Sequence, residues 1–183
     1  MEVLKTKDLV IGYKGKGILP PINVALNEGN LIALIGPNGA GKSTLFKTLT
    51  ANIQPVSGNI ELLGKELSSY SPKEKASLIG LVLTERPDDI FLKVYDVVAS
   101  GRCPYTNFFG RIEKEDEVII IESLEIVGVK HLINRYFDTL SDGEKQKVMI
   151  AKTIAQNTPI IFMDEPTAFI DYPSKIELFS LMK

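Results

Sequence analysis

A glycine-rich loop constrains the fold of this chain more than any other segment. Residues 36–43 read Gly-Pro-Asn-Gly-Ala-Gly-Lys-Ser and fit the pattern G-x-x-x-x-G-K-[ST]. The apolar residues 31–35 before the loop predict a strand buried on both faces, and residues 42–50 after it predict a helix. A further apolar strand is predicted at residues 79–83. This alternation of buried strands and helices predicts an α/β fold built on a parallel sheet.

The residue types in the loop fit the binding of a polyphosphate. Glycines let the backbone turn so that several N–H groups face phosphate oxygens, and the following helix N-terminus adds partial positive charge. Lys42 supplies a charge for the β- and γ-phosphates, and the Ser43 hydroxyl can bind Mg²⁺. The loop therefore predicts a site for a nucleoside triphosphate with magnesium, against the alternative of a glycine turn beside a surface lysine.

Two adjacent carboxylates follow another apolar run. Asp164 and Glu165 come directly after residues 160–163, which predict a buried strand, and parallel sheets bind ligands at the carboxyl ends of their strands. One carboxylate can hold Mg²⁺. The next, which strand alternation points the other way, can orient or deprotonate an attacking water. In isolation, a solvated acidic turn before Pro166 would be the simpler interpretation.

The middle of the chain has a helical pattern. Residues 113–127 predict a helix with Ile120, Leu124 and Val127 on one face, and Gly128 is a plausible C-cap. A second helix is predicted over about residues 143–156. The segment that opens it, residues 140–146, contains Ser141 and Glu144 in the spacing of a capping box, which alone would account for it.

Composition excludes several classes of function. The 183 residues carry 21 Lys plus Arg against 23 Asp plus Glu, so the charge of −2 offers no basic footprint for nucleic acid. One cysteine, Cys103, excludes an intramolecular disulfide and a cysteine-based zinc site, and one histidine, His131, disfavours a His-rich metal site or a Ser-His-Asp triad. No apolar run is long enough to cross a bilayer, so any membrane role is expected to be peripheral.

The phosphate loop, the Leu-Ser-Asp-Gly-Glu segment and the acidic strand end, in this order, resemble the ATP-binding subunit of ABC transporters. Residues 36–44 match the family's Walker A motif, and residues 160–165 match Walker B with the catalytic glutamate. Residues 140–146 match the Leu-Ser-Gly-Gly-Gln signature, with Asp142 and Glu144 in place of a Gly and a Gln.

Weaker matches support the same family. Tyr13 occupies the place of the aromatic residue that stacks on adenine, and residues 168–171 match the D-loop. Residues 101–105 resemble, more loosely, subunits that serve importers of iron–siderophore, haem or cobalamin. His131 lies upstream of the position of the family's γ-phosphate histidine and reads as a surface or helix-end residue.

The resemblance implies a P-loop NTPase with a RecA-like parallel sheet core, an N-terminal antiparallel β subdomain and a helical subdomain. The implied regions are a β subdomain with phosphate-loop core (residues 1–90), a helical subdomain with the signature (91–156), and the Walker B and D-loop part (157–183). It also implies hydrolysis of ATP by a head-to-tail dimer at the cytoplasmic face of the inner membrane. Its partners would be permease subunits and, indirectly, a substrate-binding protein, but no nucleic acid.

The resemblance also assigns roles to individual residues. Those implied to bind ATP are Tyr13, Gly36, Asn38, Gly39, Ala40, Gly41, Lys42, Ser43 and Thr44. Those implied to bind Mg²⁺ are Ser43, Asp164 and Thr84. Those implied in catalysis are Glu165 as general base, Lys42, and Ser141 and Gly143, which would contact the γ-phosphate across the dimer.

Two departures from the family pattern bear on function. Thr84 and Glu85 follow the strand at residues 79–83, where the family has a glutamine that approaches Mg²⁺ and couples to the membrane subunit. The family also has a histidine beyond the D-loop, and a strand that lies between residues 31–35 and 160–163 in the sheet. Because this sequence stops at Lys183, before both, we expect it to be a C-terminally truncated part of a longer subunit.

Three other functions remain compatible with the sequence. The chain could be another phosphate-loop enzyme, such as a small-molecule kinase or a GTPase, although no Asn-Lys-x-Asp guanine motif is present. It could be a non-transport ABC ATPase of the DNA-repair or translation type, which the acidic balance disfavours. It could also bind nucleotide without turnover. The transported cargo is not encoded in these motifs.

Overall fold

The computed structural model describes residues 1–83, 91–107, 110–167, 171–172 and 175–176. These residues form two compact units, Met1–Lys75 and Ala76–Lys183. In chain order the strands and helices are β1 (Glu2–Val10), β2 (Gly12–Tyr13), β3 (Lys16–Gly17), β4 (Ala25–Asn27), α1 (Lys42–Leu49), β5 (Ser57–Leu62), β6 (Lys65–Glu66), α2 (Pro72–Leu78), β7 (Ile79–Val82), α3 (Val94–Ala99), α4 (Lys114–Ile126), α5 (Asp142–Ala155) and β8 (Ile160–Met163).

The first unit is built on an antiparallel sheet with strand order β4-β1-β5-β6. In the register of β1 and β5, Leu4 lies opposite Leu62 and Thr6 lies opposite Ile60. These four side chains are buried, while polar residues between them face solvent, so the two-residue alternation of the strands forms one apolar face. The predicted N-terminal antiparallel β subdomain is confirmed.

The predicted buried strand at residues 31–35 is wrong. The segment has no regular secondary structure, and Leu31, Ile32, Leu34 and Ile35 are between 54% and 90% exposed. An extended segment needs an adjacent strand for its backbone hydrogen bonds and apolar cover for its side chains. The described residues of the first unit provide neither, although the phosphate loop follows this segment as predicted.

In its described residues, the second unit combines a short parallel sheet with the helices α3, α4 and α5. β7 and β8 pair in parallel, with Ile79 opposite Ile160 and Val82 opposite Met163, which confirms the parallel arrangement and the bounds of both strands to within one residue. Both strands were expected to be buried. β7 is mostly buried, but β8 is only partly covered, and its Ile161 is 37% exposed. The cover is incomplete because, among the described residues, β7 is the one strand that lies beside β8.

The helices of the second unit pack around one apolar cluster. Val98 of α3, Ile120 and Leu124 of α4, and Val148 and Ala151 of α5 are fully buried in it. The predicted helix over residues 113–127 is confirmed as α4. Its end is fixed by Gly128, whose φ of +74° is a left-handed conformation that glycine adopts without steric cost.

A buried ion pair holds the same helices together. Arg102, which follows α3, donates from Nε to Asp116 Oδ1 of α4 at 2.8 Å, and from Nη1 to the carbonyl oxygen of Ala155 at the end of α5, also at 2.8 Å. Both charged side chains are about nine-tenths buried. One guanidinium therefore links all three helices.

We expect Arg102→Leu to lower the free energy of unfolding by about 3–5 kcal/mol, because it leaves the Asp116 carboxylate buried without its partner. Arg102→Leu combined with Asp116→Leu removes both charges and should be clearly less destabilising than the single change. Urea unfolding of the two variants measures the difference. Equal losses in both would contradict a role for the pair itself.

The stability of the second unit should also depend on pH through Asp116. Burial raises the pKa of this carboxyl, but the hydrogen bond from Arg102, the backbone N–H of Glu113 and the positive charge of Arg102 together hold it below its ordinary value. Because the folded state therefore favours the ionised form, this stabilisation is present near neutrality and is lost as the pH falls through and below the ordinary aspartate range. Acid unfolding of the wild type should be steeper than that of Asp116→Asn.

Candidate nucleotide-binding site

The glycine loop adopts a conformation that only its glycines accept easily. Gly39 and Gly41 have φ values of +79° and +89°, in the left-handed region. At Gly41, the last residue before α1, a Cβ atom would lie 3.2 Å from the Cδ1 atom of Ile18. The loop backbone thus turns at two left-handed glycines, as the sequence pattern predicts.

The start of α1 has the properties of an anion-binding helix end. Its N-cap residue, Gly41, makes no side-chain hydrogen bond to the helix, and the first turn contains no acidic residue. Within the fully described first unit, no capping side chain therefore satisfies the first amide groups of α1. Such amides and the positive end of the helix dipole bind phosphate oxygens. The start of α1 therefore fits the phosphates of the nucleotide that the loop is predicted to bind.

Lys42 lies across the loop. Its Nζ atom donates hydrogen bonds to the carbonyl oxygens of Gly36 at 2.7 Å and Pro37 at 2.9 Å. An ammonium group has three donors, and anionic phosphate oxygens are stronger acceptors than neutral carbonyls. The lysine is therefore positioned to exchange these carbonyls for the phosphates of a nucleotide in the loop.

Tyr13 lies beside the same helix. It is 52% exposed in β2, and its hydroxyl oxygen accepts a hydrogen bond from Thr44 Oγ1 at 3.4 Å. Ser43 is exposed and Thr44 is buried in the first turn of α1. The structure thus brings the predicted base-stacking residue to the predicted phosphate-binding residues, while the stacking role itself stays a prediction.

The acidic pair lies directly after β8 in the second unit. The backbone N–H of Asp164 donates to the carbonyl oxygen of Val82 at 2.8 Å, which fastens the pair to the end of β7. Glu165 is exposed and has a φ of +46°. Strand alternation does not extend to the two carboxylates, because β8 ends at Met163 and Glu165 is left-handed; that they serve different roles stays a prediction. A left-handed glutamate is strained, and such strain is frequent at functional sites.

The predicted capping box is present at the start of α5. The backbone N–H of Ser141 donates to Glu144 Oε2 at 2.8 Å, and the backbone N–H of Glu144 donates to Ser141 Oγ at 3.4 Å. The hydroxyl of Ser141 also donates to Glu144 Oε2, at 2.8 Å. At Gly143 a Cβ atom would meet no atom of the described residues within 4 Å, so this part of the structure leaves the backbone there open to an approaching group.

The other end of α5 is fastened to β7. Gln156 Nε2 donates to the carbonyl oxygen of Ile79 at 3.0 Å, and Thr153 Oγ1 donates to that of Leu81 at 3.1 Å. The helix that begins at the signature segment is thus connected to the strand beside the acidic pair. Sequence reasoning missed these links, and also the Tyr13–Thr44 hydrogen bond, because the partners lie tens of residues apart and no local pattern relates them.

The structure divides the predicted site residues between its two units. Tyr13 and the loop residues from Gly36 to Thr44 belong to the first unit, whereas the signature and the acidic pair belong to the second. Thr84 and residues 168–170 of the D-loop match lie outside the described residues.

His131 lies exposed in a short 3₁₀ turn, as expected. None of the helices in the described part of the chain combines the length and apolar character needed to cross a bilayer.

Comparison with known proteins places this site in a family. The family model for ABC transporters matches residues 19–168. The chain is 44% identical over 181 residues to an uncharacterised ABC transporter ATP-binding protein of Methanocaldococcus jannaschii, covering 99% of this chain and 62% of that protein. It is 36% identical over 179 residues to the ferric enterobactin transport ATP-binding protein of Escherichia coli, covering 98% and 66%. The chain thus spans about two thirds or less of the length of these relatives.

A solved structure shows the same fold. The ADP conformation of an ATP-binding cassette from an ABC transporter superposes with a TM-score of 0.85 at 25% identity, over 100% of this chain and 76% of that one. This confirms the predicted P-loop NTPase fold. Together with the family match over residues 19–168, it shows that the chain belongs to the ABC transporter family as an ATP-binding domain.

Proposed function

We propose that this chain binds ATP with Mg²⁺ and hydrolyses it as the ATP-binding subunit of an ABC importer for iron–siderophore, haem or cobalamin. The observation that carries the ATP-binding part is the uncapped start of α1 behind a loop bent at Gly39 and Gly41. The importer class is supported by the E. coli relative, which is named for ferric enterobactin transport.

The residues of the first unit account for nucleotide binding. The amides of the loop and of the first turn of α1 bind the phosphates, and Lys42 contributes a positive charge. Tyr13 supplies an exposed ring for stacking on the base, held at its hydroxyl by Thr44. Gly36, Asn38 and Ala40 complete the loop backbone.

The roles proposed in hydrolysis follow the resemblance to the family. Glu165 accepts a proton from the attacking water, and Lys42 and the loop amides stabilise the charge on the transferred phosphoryl group. Mg²⁺, when bound, neutralises charge on the β- and γ-phosphates. By the same resemblance its protein ligands would be Ser43, Asp164 and Thr84, the last in place of the family's glutamine. Hydroxyl and carboxylate oxygens are the ligand types that this ion prefers.

The partners follow from the signature segment. Ser141 and Gly143 lie at a helix N-terminus, which favours an anion, and we propose that they contact the γ-phosphate held by a second copy arranged head to tail. ATP then joins the two copies and its hydrolysis releases them. This movement would drive permease subunits, fed by a substrate-binding protein, so that the chain works at the cytoplasmic face of the inner membrane through its partners.

Equilibrium binding and phosphate release by the 183-residue chain test the proposal. A fluorescent ATP analogue should bind in the presence of Mg²⁺, ATP should displace it, and phosphate release should need no added small-molecule acceptor. A requirement for such an acceptor would indicate a kinase instead. Absence of nucleotide binding would defeat the proposal. Co-purification of the longer parent protein with a membrane protein, rather than with RNA or DNA, would separate a transporter subunit from a non-transport ABC ATPase.

A further inference from the structure

We propose that Glu144 is a positioning residue that holds the Ser141 hydroxyl in the free subunit and must release it before Ser141 can bind a phosphate. The inference rests on the proposed function, because it concerns the step in which the signature segment meets a nucleotide on a second copy. It adds to that function a residue whose carboxylate opposes closure of the two copies around ATP.

The Glu144 carboxylate accepts the hydrogen bond that the Ser141 hydroxyl would have to donate to a phosphate. Ser141 Oγ donates to Glu144 Oε2 at 2.8 Å and accepts from the Glu144 backbone N–H at 3.4 Å. A serine hydroxyl has a single hydrogen. While this hydrogen points to Glu144, it cannot be donated to a phosphate oxygen, so the two acceptors exclude each other.

Helix capping does not require this particular hydrogen bond. The Ser141 N–H and the Glu144 N–H are each satisfied by the other two bonds of the capping box. The third hydrogen bond, from Ser141 Oγ to Glu144 Oε2, satisfies no backbone group. Turning the hydroxyl hydrogen from the carboxylate to a phosphate therefore leaves the cap in place and needs only rotation about the Cβ–Oγ bond.

The charge on Glu144 makes it a strong competitor for that hydrogen. Hydrogen bonds from the backbone N–H and the hydroxyl of Ser141 lower the pKa of Glu144, with further lowering by the charges of Arg135 and His131. The side chain is thus ionised at neutral pH, and an ionised acceptor binds a donor about twice as strongly as a neutral one. A glutamine at this position offers a neutral amide oxygen instead.

The test compares dimerisation driven by Mg·ATP in variants that all carry Glu165→Gln to prevent turnover. We expect Glu144→Gln to lower the dimer dissociation constant by about fivefold per site, and so by about 25-fold for two sites, measured by sedimentation. Glu144→Asp keeps the charge but shortens the side chain by one methylene, and should also tighten the dimer.

A matched control exists in the first unit. Ser71 and Glu74 form the same capping motif at the start of α2, with the Ser71 N–H bound to Glu74 Oε2 at 2.7 Å and the Glu74 N–H bound to Ser71 Oγ at 3.3 Å. Glu74→Gln removes the same charge from the same motif, and should leave dimerisation unchanged. Thermal unfolding of each variant checks that the fold is retained.

Ser141→Ala separates the proposed hydrogen bond from a general effect of charge. In a Ser141→Ala background, Glu144→Gln should no longer change dimerisation. A persisting 25-fold effect there, or no effect of either Glu144 variant when Ser141 is present, would overturn the inference. Nucleotide binding is measured in parallel. ATP binding without any dimer would overturn the inference alone, whereas absence of ATP binding would overturn the proposed function as well.

Discussion

Glu165→Gln is expected to lower the rate of ATP hydrolysis by about 10²–10⁴-fold while nucleotide binding is retained. Glutamine has nearly the shape of glutamate, but its amide cannot accept a proton from the attacking water. Glu165 is not part of the phosphate loop, so the change alters none of the residues proposed to bind the phosphates. Phosphate release gives the rate, and displacement of a fluorescent ATP analogue gives the affinity.

The variant should also trap an ATP-bound dimer, since hydrolysis is what removes the γ-phosphate between the copies. Glu122→Gln is the matched control, because it removes an exposed carboxylate from α4 and should leave turnover unchanged. Turnover at the wild-type rate in Glu165→Gln would remove Glu165 from the role of general base. Equal background rates in both proteins would indicate a chain that binds nucleotide without hydrolysing it.

Lys42→Ala is expected to weaken ATP binding by about 10- to 150-fold, the range for loss of one hydrogen bond to a charged group. The lysine also bonds to the carbonyl oxygens of Gly36 and Pro37, so its loss removes both a phosphate ligand and a support of the loop. Isothermal titration with ATP in the presence of Mg²⁺ measures the change.

Lys47→Ala separates the local role of Lys42 from the overall charge. Lys47 lies in the last turn of the same helix and is exposed, so its removal lowers the net charge equally. ATP affinity should stay close to wild type in this control. Equal weakening in both variants would show that the phosphate loop does not hold the nucleotide through Lys42.

Local features of the fold were predictable because short-range patterns determine them. The helix expected over residues 42–50 is α1, Lys42–Leu49, and the helix expected over 113–127 is α4, Lys114–Ile126. The capping box of Ser141 and Glu144 was also correct. Helix starts and ends depend on residues three or four positions apart, which a sequence displays directly.

Burial was less predictable, because it depends on neighbours that the local sequence does not reveal. Residues 31–35 have the composition of a core strand, but the segment is exposed in the described structure. β8 forms as expected and is nevertheless only partly covered. A strand is buried when other strands and helices lie against it, and those partners come from distant parts of the chain.

The sequence by itself determined the chemistry available to this protein: the glycines and lysine of the phosphate loop, the adjacent carboxylates and the signature serine. Only the tertiary structure decided how these groups are held. It places Tyr13 against Thr44, buries Arg102 with Asp116, and fastens Gln156 to β7. The physical reason is that hydrogen-bond partners and desolvation are set by distances in space, and residue type and spacing along the chain fix such distances only within a turn or two of helix.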